Sequence, residues 1–379
     1  MKIRKFIIYT LVLILLAGLL PVTSANTTRV YINFKDIAAI ENFILIEENI
    51  YKKAGCENTP DIIIRLDLNE RRIYKSDSIA PRQYNDFRFP LDFELRDGQV
   101  YIEQRNAASV FNVNFILENG RVIGAEPLRF DPHSWISMAR GLVAHAGGTF
   151  GGDRRVQDTN SREAVVWSYN RGHRIFELDF RLTSDNKLAA VHNWHGHIPG
   201  RRGRLSSAEW KDVRIWTVFT SMMLECVLDI MLINRDMFII TDTKSFEYST
   251  EEMILQFEIL VETAKRKDPA LLDRIIPQIY NQEMYDIVMA QHEFISIIYT
   301  LYASPDSNSE VVDFVSQHDN IRVVTMAPVR GTPEFIRALR SIGKQIYFFT
   351  VNDLDELLNY RRAGVRGFYT SFIFPSDLS

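Results

Sequence analysis

Between about residues 26 and 138, apolar and polar residues mostly alternate, which is typical of strands with one buried face. Asp97-Gly98 and Asn119-Gly120 each join two such runs. These dipeptides favour tight hairpins, because both central residues of a type I′ turn need a positive φ. One helix is predicted over about 36–54, ending at Gly55. We therefore expect a β-rich accessory domain over residues 26–138.

From about residue 139 the pattern changes to short apolar runs separated by helical stretches. Nine such runs occur, at 142–144, 175–182, 188–191, 237–241, 275–279, 295–301, 321–326, 345–351 and 367–370. The turn over 183–187 has no room for a helix, so one of the nine is predicted to be a hairpin arm or an irregular unit. The other eight predict an α/β fold, a (β/α)8 TIM barrel over residues 139–379.

Ionisable residues collect at the ends of the first four runs: His145, Glu177, Asp179, His192, Asp242 and Lys244. Active-site groups of TIM barrels lie at the C-terminal ends of the strands, so these side chains are expected to meet at one mouth of the barrel. Glu177 and Asp179 are two residues apart and share one face of a strand. Burying two neighbouring carboxylates is unfavourable unless a cation compensates them.

The residue types at this predicted mouth favour phosphodiester chemistry. The three carboxylates of Glu177, Asp179 and Asp242 are oxygen ligands, which suit Mg²⁺ or Ca²⁺ better than zinc. Histidine titrates near neutral pH, so a pair of histidines can divide the general-base and general-acid roles. A divalent cation and Lys244 would stabilise charge on the phosphoryl oxygens during cleavage.

Six stretches resemble the glycerophosphodiester phosphodiesterase family, a (β/α)8 group that shares its barrel plan with phosphatidylinositol-specific phospholipases C. They are LVAHAGG at 142–148, TNSREAV at 159–165, FELDFRLTSDNKLAAVHNW at 176–194, FIITDTK at 238–244, and the pair FFTVND at 348–353 and GVRGFYT at 364–370. They follow the family's order over the C-terminal two-thirds of the chain. The resemblance implies that His145 and His192 are catalytic, that Glu177, Asp179 and Asp242 hold the metal, and that Lys244 contacts the phosphate.

The chain departs from the family pattern at four places. Ala146 stands where the family has Arg, Asn193 where it has Asp, Asp242 where it has Glu, and Thr370-Ser371 where it has Thr-Asp. The missing Arg removes a phosphate contact. The resemblance therefore supports the reaction type better than the substrate, and it indicates a sub-branch with HAGG in place of HRG.

Several further residues are assigned from their positions alone. Trp194 is predicted to contact the substrate, with barrel packing as the alternative for it. Asn160 and Glu163 have the spacing of a helix N-cap and its capping-box partner. His173 follows Gly172 at a predicted helix end and is expected to be a capping charge.

The N-terminus is different in composition from the rest of the chain. Lys2, Arg4 and Lys5 precede an apolar run over 6–20, and small residues follow up to Ala25. This pattern predicts an export signal over residues 1–25, with an uncleaved membrane anchor as the alternative. Cleavage of the signal after residue 25 would remove three positive and no negative charges, so the formal net charge would fall from −4 to −7. Such an acidic protein is a poor nucleic-acid binder.

The sequence thus predicts an exported, metal-dependent phosphodiesterase that hydrolyses a glycerophosphodiester or a related headgroup diester, a small-molecule or lipid-headgroup substrate. Association with a membrane or cell-envelope surface is a further expectation. Three alternatives stay open: a phospholipase C-like lyase that releases a cyclic phosphate, a metal-retaining binding barrel without turnover, and, more weakly, a metal-independent glycosidase. The substrate, the metal, the oligomeric state and the role of residues 26–138 do not follow from the sequence.

Overall fold

A computed structural model describes residues 29–57, 59–78, 85–128, 130–151, 156–195 and 203–378. The predicted export signal over residues 1–25 lies outside these ranges. Within them, every helix is too short or too polar to cross a lipid bilayer.

The region before the barrel is rich in antiparallel strands. Its elements are β1 (Tyr31–Asn33), α1 (Phe34–Ile40), β2 (Ile44–Glu47), β3 (Ile50–Lys53), β4 (Ile62–Asp67), β5 (Arg72–Ser76), β6 (Phe87–Pro90), β7 (Phe93–Arg96), β8 (Gln99–Glu103), α2 (Gln104–Phe111), β9 (Val113–Glu118) and β10 (Arg121–Pro127). Strands β2 to β6 form one sheet in chain order, β1 pairs with the β7–β8 hairpin, and β9 pairs with β10.

Both predicted hairpin turns are confirmed. Asp97 and Gly98, between β7 and β8, have φ of 50° and 71°, and Asn119 and Gly120, between β9 and β10, have φ of 50° and 77°. A type I′ turn requires a positive φ at both central residues, and all four positions meet this requirement.

The helix predicted over 36–54 is wrong, because α1 ends at Ile40 and the hairpin β2–β3 follows. Asn42 and Asn49 both take a φ of 59°, the first just past the helix and the second in the hairpin turn. Asparagine tolerates this left-handed conformation, and β-branched isoleucines after Asn42 favour strands over a longer helix. The helix α2 was not predicted.

The rest of the chain alternates strands and helices. Its elements are β11 (Leu142–Ala144), α3 (Arg162–Asn170), β12 (Ile175–Leu182), β13 (Leu188–Ala190), α4 (Ser207–Asp212), β14 (Arg214–Ile215), β15 (Phe219–Thr220), β16 (Met222–Met223), α5 (Leu224–Ile233), β17 (Phe238–Asp242), α6 (Thr250–Lys267), β18 (Ile275–Ile279), α7 (Gln282–Gln291), β19 (Ile297–Thr300), α8 (Asn308–Ser316), β20 (Ile321–Met326), α9 (Pro333–Ser341), β21 (Gln345–Phe348), α10 (Leu354–Arg362) and β22 (Gly367–Thr370).

Eight of these strands close into a parallel barrel in the order β11-β12-β17-β18-β19-β20-β21-β22, and β22 pairs back to β11. A helix follows each of the first seven strands before the next begins, so the predicted TIM barrel is confirmed. The apolar run at 188–191 forms β13, which pairs antiparallel with β12, as expected for a hairpin arm.

The interior of the barrel is apolar towards the N-terminal ends of its strands. Each of the eight strands contributes one or two buried side chains to a single cluster: Val143, Ile175, Phe238, Ile240, Ile276, Ile298, Val323, Tyr347 and Tyr369. Trp135, on a short 3₁₀ turn before β11, is fully buried against this cluster, with its ring 6.0 Å from that of Tyr347. The tryptophan therefore closes the N-terminal end of the barrel.

The β-rich region packs directly on the barrel. The rings of Phe87 and Phe89 lie 5.0 Å and 6.3 Å from that of Tyr169 on α3. Arg162 on the same helix lies 3.1 Å from Asp77. One apolar cluster includes residues of both regions, so the predicted division at residue 138 stays a prediction.

Candidate active site

Three buried carboxylates meet at the C-terminal ends of β12 and β17. The parallel register places Asp179 opposite Asp242, and Glu177 precedes Asp179 by two residues on the same interior face. One oxygen of each carboxylate lies within 4.8 Å of the other two. The predicted trio is therefore assembled directly above the apolar layer of the barrel.

Asp179 and Asp242 share a cation and have separate neutral donors. Lys244 Nζ donates to Asp242 Oδ2 at 2.7 Å and also contacts Asp179 Oδ1. Asn160 Nδ2 donates to Asp179 Oδ2 at 2.9 Å, and its Oδ1 accepts the Asp179 backbone N–H at 3.0 Å. Gln278 Nε2 lies 3.2 Å from Asp242 Oδ1, which also accepts from the hydroxyl of Tyr280.

The cationic neighbour of Glu177 is the more distant ring of His145, whose Nε2 lies 3.9 Å from Glu177 Oε2. Burial raises the pKa of the Glu177 carboxyl, and repulsion from Asp179 raises it further. Burial also acts on Asp179, but the Lys244 ammonium outweighs it and holds the pKa of Asp179 well below its usual range. The Lys244 ammonium and the His145 ring therefore face three buried carboxylates and Asp158, and a divalent cation would compensate the remaining negative charge.

The donor set fits a divalent cation. All three ligands are carboxylate oxygens, the chemistry that Ca²⁺ and Mg²⁺ prefer. The usual metal–oxygen distances set how far apart two oxygens on opposite sides of an ion can be. This span is about 5 Å for Ca²⁺ and about 4 Å for Mg²⁺. The three oxygens all lie within 4.8 Å of one another, which is inside the calcium span.

His145 follows β11 and is held between two carboxylates. Its Nδ1 lies 3.2 Å from Asp158 Oδ1 and its Nε2 lies 3.9 Å from Glu177 Oε2. Burial alone would lower the pKa of His145, but Asp158 and then Glu177 outweigh burial and raise it to about 9. The next residue, Ala146, has a φ of 48° and its N–H donates to Glu177 Oε2 at 2.8 Å, which ties the loop to the carboxylate site.

His192 stands on the other side of the pocket and has an amide partner. Asn193 Oδ1 accepts the backbone N–H of His195 at 3.0 Å, so the amide nitrogen of Asn193 faces His192 Nδ1, also at 3.0 Å. Nδ1 of neutral His192 is therefore an acceptor, and Nε2 carries the proton. Arg181 Nε donates to the backbone carbonyl of His192 at 2.6 Å and fixes the main chain.

A single pocket of about 150 Å³ brings together six of the seven predicted site residues. It is lined by His145, Glu177, Asp179, His192, Asp242 and Lys244, and also by Gln278, Tyr280, Thr300, Tyr302, Phe349, Thr350 and Tyr369. Residues from distant parts of the sequence meet here because the barrel brings all eight strand ends to one rim.

An aromatic wall made of Phe246, Tyr280, Tyr302, Phe349 and Tyr369 borders one side of this pocket. The rings of Phe246 and Tyr302 are stacked at 6.1 Å, and Tyr302 lies 6.0 Å from Phe349. Phe246 is 54% exposed and Tyr302 is 65% exposed, although both are large apolar side chains. Of these residues, the sequence indicates only Tyr280 as a candidate for the pocket, because aromatic residues at strand ends look the same in sequence whether they pack or line a pocket.

Trp194 does not line this pocket. It is buried in a separate apolar cluster with its ring 5.5 Å from that of Trp210, against the hairpin arm β13. The substrate contact predicted for Trp194 stays a prediction. The alternating pattern of the run at 188–191 ends before Trp194. The Trp194 side chain therefore belongs to the loop and does not point into the barrel interior.

Two structural assignments from the sequence are also corrected. Ser161, not Asn160, caps α3, and Glu163 accepts hydrogen bonds from Thr220 at 2.7 Å and 2.8 Å instead of closing a capping box. Asn160, with a φ of 48°, instead positions Asp179.

The second correction concerns His173. This histidine is fully buried, and its Nε2 donates to the Ile373 carbonyl at 3.1 Å. Burial lowers the pKa of His173 to about 4, so the ring is neutral and is not a capping charge.

Comparison with known proteins identifies the fold. No protein-family model and no curated protein sequence matches the chain. Among solved structures, a phosphodiesterase from Oleispira antarctica in complex with the product sn-glycerol-3-phosphate matches with a TM-score of 0.50 and 14% identity, over 62% of this chain and 94% of its own. The barrel has the fold of the glycerophosphodiester phosphodiesterases.

Two further structures agree. A glycerophosphodiester phosphodiesterase from Parabacteroides distasonis matches with a TM-score of 0.51 and 19% identity, over 62% of this chain and 93% of its own. A protein assigned as a glycerophosphoryl diester phosphodiesterase from Silicibacter pomeroyi matches with a TM-score of 0.53 and 15% identity, over 64% and 95%. Identity this low establishes the shared fold, and the activity has to be argued from the pocket.

Proposed function

We propose that this protein is a metal-dependent phosphodiesterase that hydrolyses a glycerophosphodiester or a related headgroup diester. The observation that carries the proposal is the pocket itself. Three buried carboxylates with oxygens within 4.8 Å stand beside two histidines and a lysine, at the catalytic end of the barrel. The product complex of the Oleispira antarctica phosphodiesterase, which shares this fold, supports the choice of substrate.

Glu177, Asp179 and Asp242 would hold the ion, Ca²⁺ or Mg²⁺. A divalent cation bound there would stabilise the negative charge that develops on the phosphoryl oxygens as the diester is cleaved. Lys244 compensates Asp179 and Asp242 in the structure, and its contact with the substrate phosphate stays a prediction. Asn160, Gln278 and Tyr280 keep the carboxylates in place.

The two histidines are proposed to divide the proton transfers. A divalent cation on Glu177 would offset one of the carboxylates that raise the pKa of His145, and Nε2 of the neutral ring, with Asp158 beside Nδ1, would then take up the proton of the attacking oxygen. His192 presents an Nε2–H to the pocket and, in its charged form, passes this proton to the leaving oxygen. Asn193 Nδ2 lies 3.0 Å from Nδ1, the nitrogen that carries the second proton in the charged ring.

The aromatic wall is the part of the pocket suited to the organic group of the diester. The flat rings of Phe246 and Tyr302 are exposed to water. An apolar or cationic headgroup that covers them contributes more binding free energy than a bare glycerol does. Export belongs to the proposal as well. It rests on the basic, apolar and small-residue order of residues 1–25.

The proposal is tested with purified full-length protein and phosphorus NMR. Glycerophosphocholine, glycerophosphoinositol and glycerol phosphate oligomers are incubated with Mg²⁺ or Ca²⁺, with and without chelator. The expected first product is an open phosphate monoester that forms only with the ion. His145→Ala and His192→Ala should abolish it, and His292→Ala, outside the pocket, should not.

Other outcomes point to the alternatives. A cyclic phosphate as the first product would identify a lyase. Calorimetric binding of the diesters without any product would identify a binding barrel. Product formation at an unchanged rate in both pocket variants would refute the proposed mechanism.

A further inference from the structure

A second cleft, of about 780 Å³, lies at the opposite end of the barrel from the pocket. Four arginines line it: Arg140, Arg340, Arg361 and Arg366. The other lining residues are Ile136, Ser137, Gln345, Gly364 and Val365, none of which carries a charge. We refer to this site as the arginine cleft.

The positive charge of the arginine cleft is not balanced by nearby carboxylates. Within the described parts of the chain, none of its four guanidinium groups forms an ion pair, and the polar partners seen are backbone carbonyls. Arginines elsewhere commonly have acidic partners, such as Arg65 with Asp86 at 3.1 Å and Arg174 with Asp236 at 2.6 Å. Among the described residues, the four arginines therefore form a concentrated positive site without an acidic partner.

The backbone brings these arginines together. Arg140 and Arg366 precede β11 and β22, which are neighbours in the barrel. Arg361 Nη2 donates to the carbonyl of Arg140 at 2.7 Å. Gly364 has a φ of 101°, and a Cβ at this position would lie 2.6 Å from Nη1 of Arg340, so the glycine allows the guanidinium to reach the cleft.

Helix ends explain only part of this arrangement. Arg340 and Arg361 stand in the last turns of α9 and α10, where a positive charge complements the helix dipole. Arg140 and Arg366 are on the segments before strands, and Arg140 has a φ of 58° in a left-handed run. Burial and then repulsion from Arg366 and Arg140 lower the pKa of Arg361, so the group would gain from a bound anion.

We propose that the arginine cleft is a binding site for a multiply charged anion that carries phosphate groups. The guanidinium fork pairs with two oxygens of one phosphate, and four such groups around one cavity match a ligand with several phosphates. The same chemistry is offered by a soluble polyphosphate and by a phosphorylated lipid headgroup. The site is separate from the catalytic pocket, so its existence does not depend on the proposed function.

The first test is calorimetry of tripolyphosphate binding to full-length protein in the presence of EDTA, which removes ions from the carboxylate pocket. The double variant Arg140→Ser/Arg366→Ser should bind at least about tenfold more weakly, as expected for losing charged hydrogen bonds. Arg337→Ser is the matched control, because Arg337 is an exposed arginine of α9 that pairs with Glu334 at 2.8 Å. Melting curves and phosphodiester turnover show that the double variant remains folded.

The second test identifies the source of the anion by co-sedimentation with vesicles. One set is phosphatidylcholine alone, and the other adds a phosphoinositide bisphosphate. Binding only to the second set, lost in the double variant, would identify a lipid headgroup. Binding of tripolyphosphate without this vesicle effect would identify a soluble ligand. If neither ligand binds, or if the double variant binds as the native protein does, the site does not exist.

Discussion

The two ends of the barrel are built from the same eight strands but differ in chemistry. At the N-terminal end, the interior is apolar and Trp135 closes it. At the C-terminal end, the same faces carry polar groups, so that Ile175 is followed two residues later by Glu177, and Ile240 by Asp242. Strand alternation keeps both layers inside the barrel. The comparison shows that apolar packing and ionisable groups occupy separate layers, and separate substitutions can test whether stability and turnover divide in the same way.

The largest expected effect is on turnover and comes from the polar layer. His145→Ala should lower kcat by about 10²- to 10⁴-fold, the usual contribution of a positioned acid or base. Melting should change little, because this side chain is outside the apolar core. Steady-state kinetics and a thermal melt on the same sample measure both effects. A variant that loses stability and activity together would contradict the separation of the layers.

The apolar layer should show the reverse. Trp135→Ala should lower the free energy of unfolding by about 3–5 kcal/mol, since it removes a fully buried aromatic side chain and leaves a cavity. Urea denaturation measures this loss, and kcat below the melting transition should stay near the native value. Trp216→Ala is a suitable control, because Trp216 is 39% exposed. A large fall in kcat for folded Trp135→Ala would show that the two layers are coupled.

A pH effect on stability is expected from His173, which lies outside both layers. Its pKa is about 4 in the folded protein, and a histidine in an unfolded chain has a pKa of about 6.5. Between these values the unfolded state binds a proton that the folded state excludes. Stability should therefore be complete above pH 6.5 and fall by about 3 kcal/mol as the pH drops to 4. Urea denaturation of His173→Gln should show a shallower loss over this range. An unchanged profile would contradict the assignment.

The smallest effect is expected next to the polar layer, at Asn193. Asn193→Asp places an acceptor where the structure has an amide donor to His192 Nδ1, which favours the charged histidine. We expect kcat to rise by up to about tenfold, equivalent to one hydrogen bond to a charged group. Asn193→Ala, which removes the amide without adding a charge, separates the two effects. A lower kcat for the Asp variant would contradict the proposed role of His192.

The sequence predicted the parts of the site that depend on strand order. A TIM barrel brings its strand ends together, so residues at or near a strand end could be placed in one pocket from the sequence. These residues are His145, Glu177, Asp179, His192, Asp242 and Lys244. The apolar runs predicted the eight strands and the hairpin arm, and the Asp-Gly and Asn-Gly dipeptides predicted the two tight turns of the β-rich region.

The parts that were missed depend on loops or on side-chain direction. Asp158 and Asn160 take φ of 61° and 48° on the segment after β11, and no hydrophobic pattern indicates where such a segment passes. Trp194 follows the last alternating residue of its run, so its side-chain direction could not be inferred. The helix predicted over 36–54 failed because short apolar runs fit a helix and a strand equally well.

The most direct test of this account is calorimetric titration of Ca²⁺ and Mg²⁺ into chelator-treated protein. The account predicts one ion per chain for the native protein, and a loss of binding in Glu177→Gln and in Asp242→Asn, while Arg337→Ser binds as the native protein does. Absence of binding to the native protein, or equal binding to the two carboxylate variants, would contradict the claim that these carboxylates form a metal site.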